Sequence, residues 1–161
     1  MRFYKVVLTA SIFLCGSAFG FDLRGVELGK FAPPGQLHSA LGMVCLRKCG
    51  QGRTEIAGAR CTTAVAFNDE KLVDEIVATF SFSDFEAVKE ALINKYGKPT
   101  EHFTAQGITG NGIHLTRVTG IWRDDAGNEL MLQNYSDALH GRLVLRTKAR
   151  IELDKQRANE I

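Results

Sequence analysis

The chain has 161 residues, 45% hydrophobic and 24% charged, the balance of one ordinary globular domain rather than of a disordered, collagen-like or multi-pass membrane protein. Twenty Lys and Arg stand against eighteen Asp and Glu. The excess is Arg2 and Lys5, in a leading segment without acid, so the rest of the chain is neutral. A neutral body has no general attraction for phosphate backbones, which argues against nucleic acid as a partner.

Residues 1–20 read as a cleaved secretory signal. Arg2 and Lys5 make a charged start, and Val6 to Cys15 is mostly apolar but short for a bilayer span. Ala18 and Gly20 put small residues where a peptidase cutting before Phe21 needs them. Leu14 before Cys15 is unlike a lipoprotein signal, so no lipid anchor is expected. No later stretch reaches transmembrane length. The expected location is periplasmic or secreted, with no integral membrane segment after cleavage.

Cys15 leaves with the signal, and Cys45, Cys49 and Cys61 remain. In an oxidising compartment the expectation is one disulfide, Cys61 with Cys45 or Cys49, and one spare thiol. Such a bond would staple the loop at 43–60 to the next strand, worth about 3 kcal/mol. The spacing C-x3-C-x11-C matches no standard zinc pattern, so no metal is expected.

Leu23 to Gly29 reads as a short extended piece. Pro33-Pro34 can open a helix, and Gln36 to Leu41 follows with Leu37, Ala40 and Leu41 on one face, capped by Gly42. Residues 43–60 read as a Gly-rich basic loop with a short strand near Thr54–Ile56. Thr62 to Phe67 and Val73 to Phe80 form a hairpin about Asn68-Asp69-Glu70-Lys71. Ser83-Asp84-Phe85-Glu86 has the form of a capping box. Phe85, Val88, Leu92 and Tyr96 then make one apolar stripe, ended by Gly97 and Pro99. Phe103 to Ile108 and Ile113 to Trp122 flank Gly110-Asn111-Gly112, a tight-turn signal. Asp124-Asp125-Ala126-Gly127 is a second turn. Asn128 to Tyr135 and Gly141 to Ala149 alternate. The charged tail from Ile151 reads as a short, fraying helix.

The expected fold is α+β, one domain over residues 21–150 with a charged tail at 151–161. Its two helix-plus-antiparallel-meander repeats, about 21–80 and 81–150, place the helices on one face of an antiparallel sheet. Gly25-Val26-x-Leu28-Gly29, the helix ending Ala40-Leu41-Gly42, and Phe85-x-x-Val88-x-x-Ala91-Leu92-x-x-Lys95-Tyr96-Gly97-Lys98-Pro99 with Trp122 carry a resemblance. In these, the chain resembles small secreted bacterial proteins with a tandem helix-plus-meander fold. That fold is similar to β-lactamase-inhibitory protein and to the small lipoprotein of the outer-membrane barrel assembly machinery. The resemblance implies a curved sheet that contacts a protein partner rather than catalysis.

No G-x-S-x-G, H-E-x-x-H, P-loop or S-x-x-K occurs, and His38, His102, His114 and His140 are isolated in sequence. Asp124-Asp125 reads as turn chemistry. If Leu130, Leu132, Leu143 and Leu145 face the helices, then Met131, Gln133, Tyr135, Arg142, Arg146 and Lys148 share the other sheet face. Tyr, Met and Arg are the types enriched at protein contacts. The expectation is a non-enzymatic binding module without cofactors, inhibitor-like or immunity-type, whose partner is another periplasmic or secreted protein. The alternatives are an envelope-assembly factor and, behind it, a small hydrolase with dispersed carboxylates.

Overall fold

The computed structural model describes residues 20–44, 50–108, 112, 114–135 and 139–160. The signal up to Phe19, Cys45, Cys49 and the Gly110-Asn111 turn lie outside the described residues.

The described chain opens with a small hairpin of β1 (Asp22–Leu23) and β2 (Val26–Glu27). Arg24 and Gly25 at its tip have φ of 51° and 82°, the left-handed pair that a two-residue hairpin turn needs. Phe21, Leu23, Val26 and Leu28 are all buried, so this piece contributes to the core. Helix α1 (Pro34–Leu41) starts on its proline and buries Leu37 and Leu41. Gly42 ends it in the left-handed region, its N–H donating to His38 O at 2.9 Å.

Three strands follow, β3 (Gly52–Ile56), β4 (Ala59–Phe67) and β5 (Val73–Ser81). The short strand expected near Thr54–Ile56 is β3, which starts two residues earlier at Gly52, and β4 opens at Ala59 inside the expected 43–60 loop. Ala57 and Gly58, at φ 52° and 83°, make a tight turn between β3 and β4. Helix α2 (Phe85–Tyr96) buries Phe85, Val88 and Leu92.

The expected capping box at its start does not form. Phe82–Asp84 is a 3-10 turn that feeds the helix, and Asp84 holds the cap position with no side-chain bond. Ser83 Oγ instead lies 2.9 Å from Ser81 Oγ, and Glu86 pairs with Lys89 at 2.5 Å.

Then come β6 (Glu101–Ile108), β7 (His114–Arg123), β8 (Glu129–Gln133) and β9 (His140–Arg146). The chain closes with helix α3 (Lys148–Asn159). The last strand stops at Arg146, short of the expected Ala149. Thr147 Oγ1 accepts from the Arg150 amide at 3.2 Å and so caps α3. The expected fraying tail is a helix of 12 residues.

β3 to β9 form one seven-stranded antiparallel sheet in the order β3-β4-β5-β9-β8-β7-β6. Ile76, Leu145, Leu130 and Trp122 stand in one row across β5, β9, β8 and β7. They and the apolar faces of α1 and α2 belong to one buried cluster. The α+β class holds, with three helices and an antiparallel sheet.

Helix α3 falls mostly in the segment expected as a charged tail, apart from the two helices expected on one sheet face. It lies over the opposite face, where Arg150 meets Glu75 and Asp154 meets Arg146. No residue of α3 is buried. It docks through charge, so it leaves no apolar stripe in the sequence.

Candidate interaction surface

The face away from α1 and α2 is read off the strand register. Glu75, Arg146, Glu129 and Arg123 form one row across β5, β9, β8 and β7. Val77, Val144, Met131 and Ile121 form the next. Thr79, Arg142, Gln133, Thr119 and Phe103 form the third, reaching β6.

The charged row is a network. Glu129 is buried between two guanidinium groups, Arg146 at 2.6 Å and Arg123 at 3.2 Å. Arg123 also pairs with Glu101 on β6. Arg146 reaches Asp154 of α3 at 3.5 Å, and Arg150 lies 3.4 Å from Asp154 and 4.0 Å from Glu75. Each acid thus sits beside an arginine from another strand or from α3, which fixes the helix above the sheet. Between them runs a groove of about 560 Å³ lined by Ile121, Met131, Arg146, Lys148 and Ile151.

The six residues expected on this face divide into two groups. Met131, Arg146 and Lys148 line the groove beneath or beside α3. Arg146 serves the ion network, and Lys148 is the first residue of α3, near Glu152 at 3.9 Å. Gln133 and Arg142 are cross-strand neighbours in the third row, beyond the Met131 row, and Gln133 donates to Thr119 Oγ1 at 3.3 Å. Tyr135 stacks on Phe82, ring centroids 4.4 Å apart and planes 9° apart. Phe82 is 41% exposed and Phe103 49% exposed.

Phe82, Phe103 and Glu129 were not singled out in the sequence. Strand alternation from Thr119 assigns Phe103 only once the β6–β7 register is known. Glu129 takes an outward position in the Glu129–Met131–Gln133 alternation, and no local pattern marks the arginines that bury it.

Titration is perturbed away from this face. Burial works against ionisation of Asp22, but hydrogen bonds from Lys95 at 2.6 Å, the Gly25 amide and Tyr96 hold its carboxyl below the ordinary value. Burial likewise disfavours the Lys95 ammonium, and the bond to Asp22 outweighs it, so Lys95 is raised. Tyr96 also donates to Asp22 O at 2.9 Å and meets Phe21 edge to face at 5.2 Å. A cleft of about 580 Å³ beside this knot is lined by Phe21, Lys30, Lys95, Trp122 and Asp124.

Cys61 carries a free, buried thiol that donates from Sγ to Ala59 O at 3.3 Å, and burial pushes its pKa up to about 11. Its expected bond to Cys45 or Cys49 involves positions outside the described residues.

Asp124 accepts from the Asn128 amide and side chain, each at 2.9 Å, and so builds the β7–β8 turn. The histidines stand on four separate elements, α1, β6, β7 and β9. Among the described residues, no group of three or more His, Cys, Asp or Glu is placed to hold a metal ion. No helix among them is long and apolar enough to cross a membrane. Compared with protein-family models, curated proteins and solved structures, the chain matches none.

Proposed function

We propose that this protein is an exported, non-enzymatic binding module, periplasmic or secreted, that engages another protein of the same compartment through its outer sheet face. The observation that carries this reading is the part of that face next to the groove. Arg142, Gln133 and the exposed Phe103 lie in one cross-strand row, with Thr119 between Gln133 and Phe103, and the Tyr135–Phe82 stack lies near the end of β8 and β5. Exposed aromatics and an arginine on one face are the residue types of interface hot spots. The polar residues of the first row are engaged in holding α3, which supports a structural rather than a chemical use for those carboxylates.

The finer architecture belongs to the same proposal. A helix precedes each run of consecutive strands, α1 before β3-β4-β5 and α2 before β6-β7-β8-β9. We read these as two helix-plus-meander units joined at β5 and β9. The likeness to inhibitor-type and assembly-type folds rests on this order.

The test is affinity capture from periplasmic extract of the source cell, followed by titration of the purified pair. Tyr135→Ala and Arg142→Ala are each expected to weaken the complex by about 10- to 100-fold, as for hot-spot residues, with unchanged circular dichroism. A complex indifferent to both substitutions would remove this face from consideration.

A further inference from the structure

One edge of the sheet is open. All eight residues of β6 are exposed or half-exposed. The strand carries no Pro, Lys or Arg, and its register with β7 runs from Glu101 to Ile108 without a bulge. Lysine, proline and bulges are devices by which edges avoid pairing with other strands, and the one formal charge on β6 is Glu101 at its start, paired with Arg123. The opposite edge differs: β3 is five residues long and sets Arg53 and Glu55 in solvent.

The open edge also overhangs. β8 pairs with β7 only from Thr119 to Arg123. Beyond that, the Asn134 side chain stands in for a strand, accepting from the Val118 amide at 2.7 Å and donating to Thr116 O at 2.9 Å. Residues 104–108 and 114–118 form a ribbon beyond the sheet, with Ile108 66% exposed. A two-stranded ribbon is marginal by itself.

We infer that β6 pairs antiparallel with β6 of a second copy of this chain, about a two-fold axis through Thr104. The outer face of β6 reads Glu101, Phe103, Ala105, Gly107, one large apolar residue followed by two small ones after the opening acid. Pairing about Thr104 sets Phe103 of each copy opposite Ala105 of the other, with Gly107 alongside. His102 meets Gln106 and Glu101 meets Gly107, so no like charges are opposed. Both outer faces then lie on the same side of one continuous sheet. An isologous contact of this kind closes as a dimer and leaves no second β6 edge exposed. The inference stands apart from the binding reading, because it is tested on the protein alone.

The test is sedimentation velocity of the purified chain over a concentration series. A monomer–dimer equilibrium is expected, and a monomer at every soluble concentration overturns the inference. Ala105→Lys fills the small slot with a charge and is expected to raise the dimer dissociation constant by at least about tenfold. A dimer that this substitution leaves unchanged also overturns it. Thr104→Cys reads the register independently of any loss of folding. It is expected to give disulfide-linked dimer on a non-reducing gel well above the parent chain, with Ile108→Cys at the parent level. Equal cross-linking at both positions refutes the axis.

Discussion

Glu129 on β8 accepts from Arg146 on β9 at 2.6 Å, with its side chain only 7% exposed. Its second oxygen faces Arg123 at 3.2 Å. One carboxylate therefore separates two guanidinium groups, and one of these reaches on to α3.

Replacing Glu129 by Ala removes the anion between Arg123 and Arg146, and each keeps its outer acid, Glu101 and Asp154 respectively. The expected loss of unfolding free energy is about 2 kcal/mol, less than for a dry pair because both arginines keep contact with solvent. Urea denaturation measures it. Hydrogen exchange should show α3 amides opening in the variant, and in the parent at high salt, before the strand amides do. Exchange of α3 that ignores both salt and Glu129 would mean that charge is not what holds the helix.

Gly141 lies under the Phe80 ring, and a Cβ placed there would be 2.4 Å from Phe80 Cε2. Phe80 is itself buried. Gly141→Ala is expected to cost about 1–3 kcal/mol through overpacking. Adding Phe80→Leu should recover part of that loss. A double variant no better than the sum of the singles would show that the two positions do not share space.

The Asp22 carboxyl is held below its ordinary value in the folded state. Its contribution to stability is therefore present above the unfolded-state value and is lost as pH falls, below about pH 4. Stability of the parent and of Asp22→Asn, followed by chemical denaturation against pH, should converge on the acid side. The raised Lys95 acts in the opposite direction, its share fading only as pH rises through the folded-state value. A gap between parent and Asp22→Asn that stays constant into acid would show that the carboxyl is not favoured in its charged form.

Cys61, buried and pushed up to about 11, is protonated and shielded at neutral pH. In reduced, folded protein, iodoacetamide is expected to spare it and to label it fully only in denaturant. Peptide mass mapping distinguishes Cys61 from the other thiols. The same map made without reductant decides whether Cys61 pairs with Cys45, with Cys49 or with neither.

The apolar periodicity of Phe85, Val88 and Leu92 was sufficient to find α2, and Gly42 and Gly97 located the ends of both core helices. Alternation in Leu130–Leu132 and Leu143–Leu145 told which side chains turn inward. These signals are legible because burial repeats at the period of the element. The β3–β4 turn was not, since Ala57 takes a positive φ that sequence patterns assign to Gly or Asn. Nor was the placement of α3: its ion pairs join residues far apart in the chain, and single charges carry no periodic mark. The open half of the outer face depended on knowing that β9 lies between β5 and β8. No local pattern in the chain states that adjacency.

That adjacency also sets a timetable. β5 can pair with β4 as soon as both exist, yet its other side waits for β9, the last strand to be made. Until Arg146 has left the ribosome, Ile76 has no Leu145 to lie beside. A chain whose central seam closes last is slow to commit to its final shape, and stays threadable for as long as its C-terminal end is still on its way.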